Sequence, residues 1–290
     1  MKPARFDYYR AGSIADATGV LAELREDAAV LAGGLSLGPM LNLRLVRPRA
    51  VIDITRVPRL DTVELRNGSV ATGAALTQAD ALESDVVRRE IPLLALALPW
   101  VGHFQTRNRG TLGGSVAHAD PSAEIPLCLV VSGGTIVLRS QRRERRVRAE
   151  KFFLGMLTTA RQPDELVVGL EWPRAPADAG HAFEEVSQRH GDFAICAAAC
   201  RIRLDGGDRI ASLDLGLGGV ESRPAPVDTA AFVGRPVDAS MVQELGDQAV
   251  RPLAPLEDHV ATADYRLALA RVLISRVVHD AAADARTRRT

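Results

Sequence analysis

The sequence predicts an α+β protein: two small α/β units followed by a C-terminal antiparallel sheet with helices. Three observations carry this expectation. Helical and extended patterns alternate over the first 177 residues, periodicity breaks down in WPRAPADAGHA, and three extended runs then precede one long amphipathic segment. The predicted domains are 1–177, with subdomains of about 1–55 and 56–177, and 178–290.

Ser13 with Asp16 three residues on marks a helix start, and IADATGVLAELRE carries apolar residues at helical spacing. The short run AAVL after it reads as a strand ending in Gly33 and Gly34, and PRAVIDI (48–54) reads as a second strand. In VELRNGSVATGA the pair Asn67-Gly68 tolerates positive φ at both central positions of a type I′ turn, which predicts a hairpin. Thr77 with Asp80 opens another helix, and a second, apolar helix is expected over 91–101. The Gly-rich segment from Gly110 leads into PLCLVV and GTIVLRS, so this unit mixes helices and strands.

Poverty of apolar periodicity and richness in Pro, Ala and Gly make 172–182 a linker, with the boundary near residue 178. AFEEVSQ, AICAAACRIRL and IASLDLGLGGV then read as strands of one sheet, ADYRLALARVLISRVVHDA as a closing helix, and DARTRRT as a solvated tail.

Lys plus Arg equals Asp plus Glu at 36 each, so the molecule has no long-range field to gather nucleic acid or anionic membrane, and any bound anion must be held locally. The start MKPARFDYYR lacks the apolar core of a secretory signal and no segment has the roughly 18 apolar residues of a membrane span, which predicts a cytoplasmic protein. Cys128, Cys196 and Cys200 sit among apolar neighbours and read as buried free thiols; they have neither the number nor the spacing of iron–sulfur ligands.

Two segments carry chemistry. The first is Ala32-Gly33-Gly34-Leu35-Ser36-Leu37, directly after a strand, where glycines let the chain turn and expose successive N–H groups as a concave site for a diphosphate. The same pattern also suits a plain turn. The second runs from Arg107 to Pro126, RNRGTLGGSVAHADPSAEIP. Its small residues, among them Gly110, Gly113 and Gly114, permit close approach of a flat ligand. Thr111 and Ser115 offer hydroxyls, and the Asp120 and Glu124 carboxylates are suited to accept hydrogen bonds from sugar or ribityl hydroxyls. Neither loop is G-x-G-x-x-G in a βαβ unit nor G-x-x-x-x-G-K-[ST], which excludes Rossmann and Walker-type sites.

AGGLS, TLGGS some eighty residues later, and HADPSAEIP immediately after it together resemble the paired motifs of the FAD-binding medium subunits of molybdenum hydroxylases, the xanthine dehydrogenase and carbon monoxide dehydrogenase family. The resemblance extends over nearly the whole chain, including VSQRHGDFAI. It implies a two-subdomain FAD-binding domain of the PCMH type followed by a C-terminal domain of the carbon monoxide dehydrogenase flavoprotein type. It implies noncovalent FAD, with Ala32 to Ser36 and Thr111 to Ser115 around the diphosphate, Asp120 and Glu124 on ribityl or adenosine hydroxyls, and Gly102, Thr106 and Gly110 on the flavin side. Phe193 matches a position where an aromatic ring, often tyrosine, lies near the isoalloxazine; a core phenylalanine is the plainer reading, and no hydroxyl is present here. Leu166, in PDELVVGLEWP, matches a contact at the flavin edge and equally suits a strand leucine. His118 lies inside the second motif and reads as a cofactor contact, since no other histidine stands at a metal-ligand spacing from it; His103 reads as a surface or interface residue.

The resemblance further implies a heterotrimer, or a dimer of heterotrimers, in which a large molybdopterin subunit hydroxylates substrate and a small subunit carries [2Fe–2S] clusters. The alternatives are a self-contained FAD oxidoreductase of the same fold and a flavin-free scaffold. The run RRERRVR (142–148) reads as a solvated, partly self-paired face, with a docking patch for an acidic partner as its alternative.

Overall fold

The computed structural model describes residues 1–289. The first unit is a three-stranded parallel sheet in which Ala50–Asp53 lies between Asp7–Arg10 and Ala28–Leu31. Parallel neighbours need crossover connections. One is the helix Ile14–Leu24, whose N-cap is Ser13, its hydroxyl accepting from the Asp16 N–H at 3.0 Å. Its Ala17 and Leu21 pack on Ile52, Leu60 and Leu166. DYYR had given no signal of a strand: all four residues are exposed, and their place is fixed by backbone pairing with Ala50–Asp53.

The second unit is a five-stranded antiparallel sheet in the order Val63–Arg66, Ser69–Gly73, Leu166–Pro173, Thr135–Arg139, Glu144–Arg148. The hairpin expected at Asn67-Gly68 forms, with Arg66 opposite Ser69. In the central strand, buried Trp172 donates from its indole nitrogen to the Thr72 hydroxyl at 3.1 Å. The apolar stretch 91–101 is not one helix. It divides into Pro92–Ala97 and a 3₁₀ turn, Leu98–Trp100, because Pro99 has no N–H with which to continue the α-helical ladder. PLCLVV lies in the helix Glu124–Val131, apolar on nearly every side because it is buried on nearly every side. The basic run forms the outer strand of the sheet and is largely paired: Arg145 grips Glu165 at 2.6 and 2.8 Å, Arg146 meets Glu171 at 3.1 Å, and Arg148 meets Glu150 at 3.2 Å. Such charge also guards an open edge against pairing with another chain.

Residues 174–179 lead into a four-stranded antiparallel sheet, Gly180–Val186, Cys196–Leu204, Ile210–Gly218 and Ala225–Pro226. The helices Ala239–Val250 and Ala263–Arg288 cover one face through a core that includes Cys196, Cys200, Leu215, Leu245 and Leu273. On the opposite face Phe183, Ala197 and Ala199 join the core of the second unit. There Glu124–Val131 lies against the sheet, with Leu127 and Val131 over Gly216 and Gly218. All three cysteines are buried and free. Among the described residues no helix is long and apolar enough to cross a membrane.

The expected solvated tail is instead the end of the last helix, which continues to Arg288; Thr290 lies outside the described residues. Ala285 is fully buried, and Asp284 accepts the His181 N–H at 3.0 Å. The run read as a tail because its charged residues mask a small apolar stripe of alanines. Close approach at this point requires Gly180: a Cβ there would lie 1.9 Å from the Ala281 carbonyl oxygen and 2.4 Å from the Ala285 nitrogen. Gly180→Ala is therefore expected to cost at least about 1–3 kcal/mol and to lower the melting temperature by several degrees in a thermal unfolding scan; an unchanged melting temperature would contradict this packing.

Candidate functional site

The first loop leaves the strand Ala28–Leu31 and enters the short helix Leu37–Asn42. Gly34 takes a positive φ of 76°, which turns the chain sharply. Among the described residues, the N–H groups of Gly33, Gly34, Leu35 and Ser36 have no acceptor in the protein. Four consecutive donors at one turn are thus left available to an anion.

The second loop is organised differently. Its backbone is stitched to the segment 74–78: Gly110 O accepts from Gln78 N at 2.8 Å, while Leu112 N and Gly113 N donate to Leu76 O and Ala74 O, each at 3.0 Å. Thr111 caps the helix Leu112–His118, its hydroxyl accepting from Gly114 N at 3.0 Å and its carbonyl from Ser115 N at 3.1 Å. The amides of this first helical turn are thus already occupied. Only the Thr111 N–H of the TLGGS segment has no acceptor among the described residues.

The two loops touch backbone to backbone. A Cβ on Gly33 would lie 2.0 Å from the Arg109 carbonyl oxygen and 2.9 Å from Gly110 Cα, and one on Gly114 would come within 4.0 Å of the Ala32 Cβ. Beneath Gly110 lies the buried Gln78 side chain, whose Oε1 has no partner. Gln78 escaped the sequence reading because a lone glutamine after a helix cap looks solvated.

The residues expected on the flavin side assemble nearby. Gly102 turns against Thr106, and Arg107 fixes that turn by donating to the Val101 and Gly102 carbonyls, each at 3.0 Å. Gly191, with φ of 88°, comes so close that a Cβ would lie 3.0 Å from the Gly102 carbonyl and 2.9 Å from the His103 ring. This contact carries the GDF loop onto Gly102 and His103. Phe193 is 66% exposed and so is not a core phenylalanine. His190, three residues earlier, stacks on Trp100 with ring centroids 5.5 Å apart. Leu166, by contrast, is buried at 2% exposure within the core of the first unit, and its side chain is not at the surface. His118 closes the helix after the second loop and is half-buried, while His103 is exposed.

Comparison with known proteins decides the lineage. Residues 4–175 match the family model described as the FAD binding domain in molybdopterin dehydrogenase, and residues 181–281 match the carbon monoxide dehydrogenase flavoprotein C-terminal domain. The chain belongs to the FAD-binding subunit family of the molybdopterin dehydrogenases. It is 36% identical to the caffeine dehydrogenase subunit beta of Pseudomonas sp. strain CBB1, covering 97% of this chain and 96% of that protein. Among solved structures it superimposes on a chain of the Hydrogenophaga pseudoflava carbon monoxide dehydrogenase that lacks the Mo-pyranopterin moiety, with a TM-score of 0.95, 33% identity and coverage of 98% and 99%. Quinoline 2-oxidoreductase from Pseudomonas putida 86 gives 0.93, 34%, 98% and 99%.

This member of the family has an acidic layer beside the second loop. Asp120 accepts the Ser122 N–H at 2.9 Å and remains half-buried. Glu124, the first residue of its helix, is 7% exposed; burial pushes its carboxyl up to about 7, and the charge of Asp120 adds to the rise. Glu185, on the strand Gly180–Val186, is 5% exposed and pushed up to about 8, by burial first and then by the charge of Glu124. Neither Glu185 oxygen has a hydrogen-bond partner. Glu185 was not among the residues expected at the site. The only signal was an acid in a run, FEEV, whose alternation makes one of the two glutamates inward-facing.

Both buried carboxyls titrate above the ~4.3 of a free glutamate. Their favourable contribution is present at acid pH, and stability falls as pH rises through about 7 and about 8, where the folded state must give up protons. Glu185→Gln keeps a neutral group and is expected to flatten this slope, so that the variant melts higher than the parent above about pH 8 but not near pH 5. Parallel melting-temperature curves for the two proteins from acid to alkaline pH would contradict the assignment.

Proposed function

We propose that this chain is the FAD-binding electron-transfer subunit of a molybdenum-containing hydroxylase or dehydrogenase, accepting electrons from [2Fe–2S] clusters of a partner subunit and delivering them to an external acceptor. The observation that carries this reading is the set of four free amides at Gly33, Gly34, Leu35 and Ser36, placed where the first glycine loop meets the second. A diphosphate supplies the acceptors these donors lack.

Each part of the site then has a task. The first loop binds the diphosphate through backbone N–H groups, and Ala32 and Leu37 flank it. The second loop contributes Thr111 and Ser115, with Gly113 and Gly114 allowing close approach. Asp120 and Glu124 accept from ribityl or adenosine hydroxyls, and His118 adds a polar contact. Gly102, Thr106 and Gly110 border the isoalloxazine, Phe193 covers its exposed side, and Leu166 supports the edge from the core. When bound, FAD supplies a centre that accepts electrons singly and releases one or two. The chain's own contribution is to hold that group, shield it from water and set its electrostatic surroundings.

The molybdenum cofactor and the clusters belong, in this proposal, to a large and a small partner subunit of a cytoplasmic heterotrimer or dimer of heterotrimers. Substrate specificity resides in the large subunit, and the chain divides near residue 178 into the FAD-binding and C-terminal domains.

The chain purified alone is expected to be yellow, or to become so with added FAD, and to release FAD on heating while holding neither iron nor molybdenum. A colourless protein that ignores FAD would overturn the proposal. In a second test, Gly114→Val sets a branched side chain between the Thr111 cap, 2.7 Å from the first added carbon, and Ala32. FAD affinity is expected to fall by about tenfold or more with the far-ultraviolet circular dichroism retained; full FAD retention would contradict the loop assignment.

A further inference from the structure

Glu185 is the most unusual polar side chain left outside the proposed contacts. It stands on the strand Gly180–Val186, on the face that carries Phe183 toward the FAD-binding domain; its neighbour Glu184 turns the other way and pairs with Arg276 at 2.5 Å. Its paired residue on the next strand is Ala197, also part of that interdomain core. The cations on the strands of this layer are engaged away from Glu185: on the Ala197 face Arg201 meets Asp214 at 2.9 Å and Arg203 meets Asp178 at 2.7 Å, and His181, on the strand of Glu185, is held below its usual range by burial. The helix Pro92–Ala97 has no titratable residue. The helix Glu124–Val131 contributes Glu124 and Cys128, the preceding loop Asp120, and the charges of Glu124 and Glu185 both act on Cys128. Cys196 and Cys200 belong to the core on the opposite face. Among the described residues neither Glu124 nor Glu185 has an ion-pair partner, and no group of three or more acids, histidines or cysteines is arranged to hold a metal.

Two carboxyls facing one apolar layer without a counter-charge cannot both ionise at low cost, since each charge must be taken out of water and each repels the other. We propose that Glu185 is a positioning residue for the cofactor site, a buried acid that keeps the proton of this pair so that Glu124 can present a carboxylate to the cofactor's hydroxyl groups. The inference rests on the FAD reading above and adds a residue to it that lies in the C-terminal domain. It also makes cofactor retention dependent on the protonation of that domain. Burial favours the neutral acid at both, but a backbone N–H at the start of its helix favours the carboxylate of Glu124 and no hydrogen bond does so for Glu185, in keeping with the order of their titration, about 8 against about 7. Once Glu185 ionises, two negative charges share the layer that borders an anionic cofactor.

The test is a titration of the full chain with FAD, following flavin fluorescence, at several pH values. For the parent protein the dissociation constant is expected to rise by about tenfold between pH 7 and pH 9, a change of the size that one lost proton produces over that range. Glu185→Gln, which retains a neutral side chain of the same shape, should bind FAD as the parent does near pH 7 and keep that affinity within about twofold to pH 9. Glu185→Asp should restore the pH dependence. Infrared difference spectra of the FAD-free protein give a second readout: a carboxylic-acid carbonyl band present at neutral pH in the parent and missing in Glu185→Gln. If parent and Glu185→Gln lose FAD in parallel as pH rises, or if no such band is lost, the positioning role is wrong while the FAD reading stands. If the parent binds no FAD at any pH, the FAD reading itself fails.

Discussion

The contact on which the site depends is the meeting of two backbones at Gly33. With no side chain there, the Arg109 carbonyl sits where a Cβ would be, 2.0 Å from its ideal position. The loop after the first parallel sheet is thereby held against a loop that belongs to the antiparallel sheet. Each loop alone is a common turn. Their abutment leaves Gly33, Gly34, Leu35 and Ser36 with unspent donors where the first loop meets Arg109 and Gly110 of the second. The second loop uses its own amides for a different purpose: bonds to Ala74 O and Leu76 O fasten its helix to the sheet and give the first loop a rigid wall.

The C-terminal domain is built into this arrangement rather than appended to it. The Gly219 N–H donates to the Pro121 carbonyl at 2.8 Å, anchoring the acidic segment, and Glu124–Val131 lies on the sheet through Leu127. From the other side Gly191 brings the loop bearing Phe193 onto Gly102. The chain therefore closes around the candidate site at two points, and the cost is a buried layer in which Glu124 and Glu185 face each other's charge without a cation. Burying such groups is unfavourable in itself, so their presence argues for a role beyond stability.

Much of this was legible in the sequence because it rests on local chemistry. The Ser13 and Thr77 caps, the Asn67-Gly68 hairpin and the three C-terminal strands each follow from the residues that form them. The paired glycine motifs and HADPSAEIP pointed to the family that the comparisons then established. What escaped was set by distant partners. DYYR is a strand only because Ala50–Asp53 offers it a ladder, and the supposed tail is helical because Gly180 admits Ala281 and Ala285. No local pattern distinguishes an amide already spent on Ala74 from one left free at Gly34, and none marks Glu185 as facing Glu124. Pro99 is the opposite case, a local signal strong enough to break the helix inside an apolar run.

The most direct test is to follow backbone amide exchange in ¹⁵N-labelled protein with and without FAD. The N–H groups of Gly33, Gly34, Leu35 and Ser36 are expected to exchange rapidly in the FAD-free chain and to become protected when FAD binds, while Leu112, Gly113, Gly114 and Ser115 are protected throughout. Protection appearing only in the second loop, with the first unchanged on FAD binding, would contradict the account.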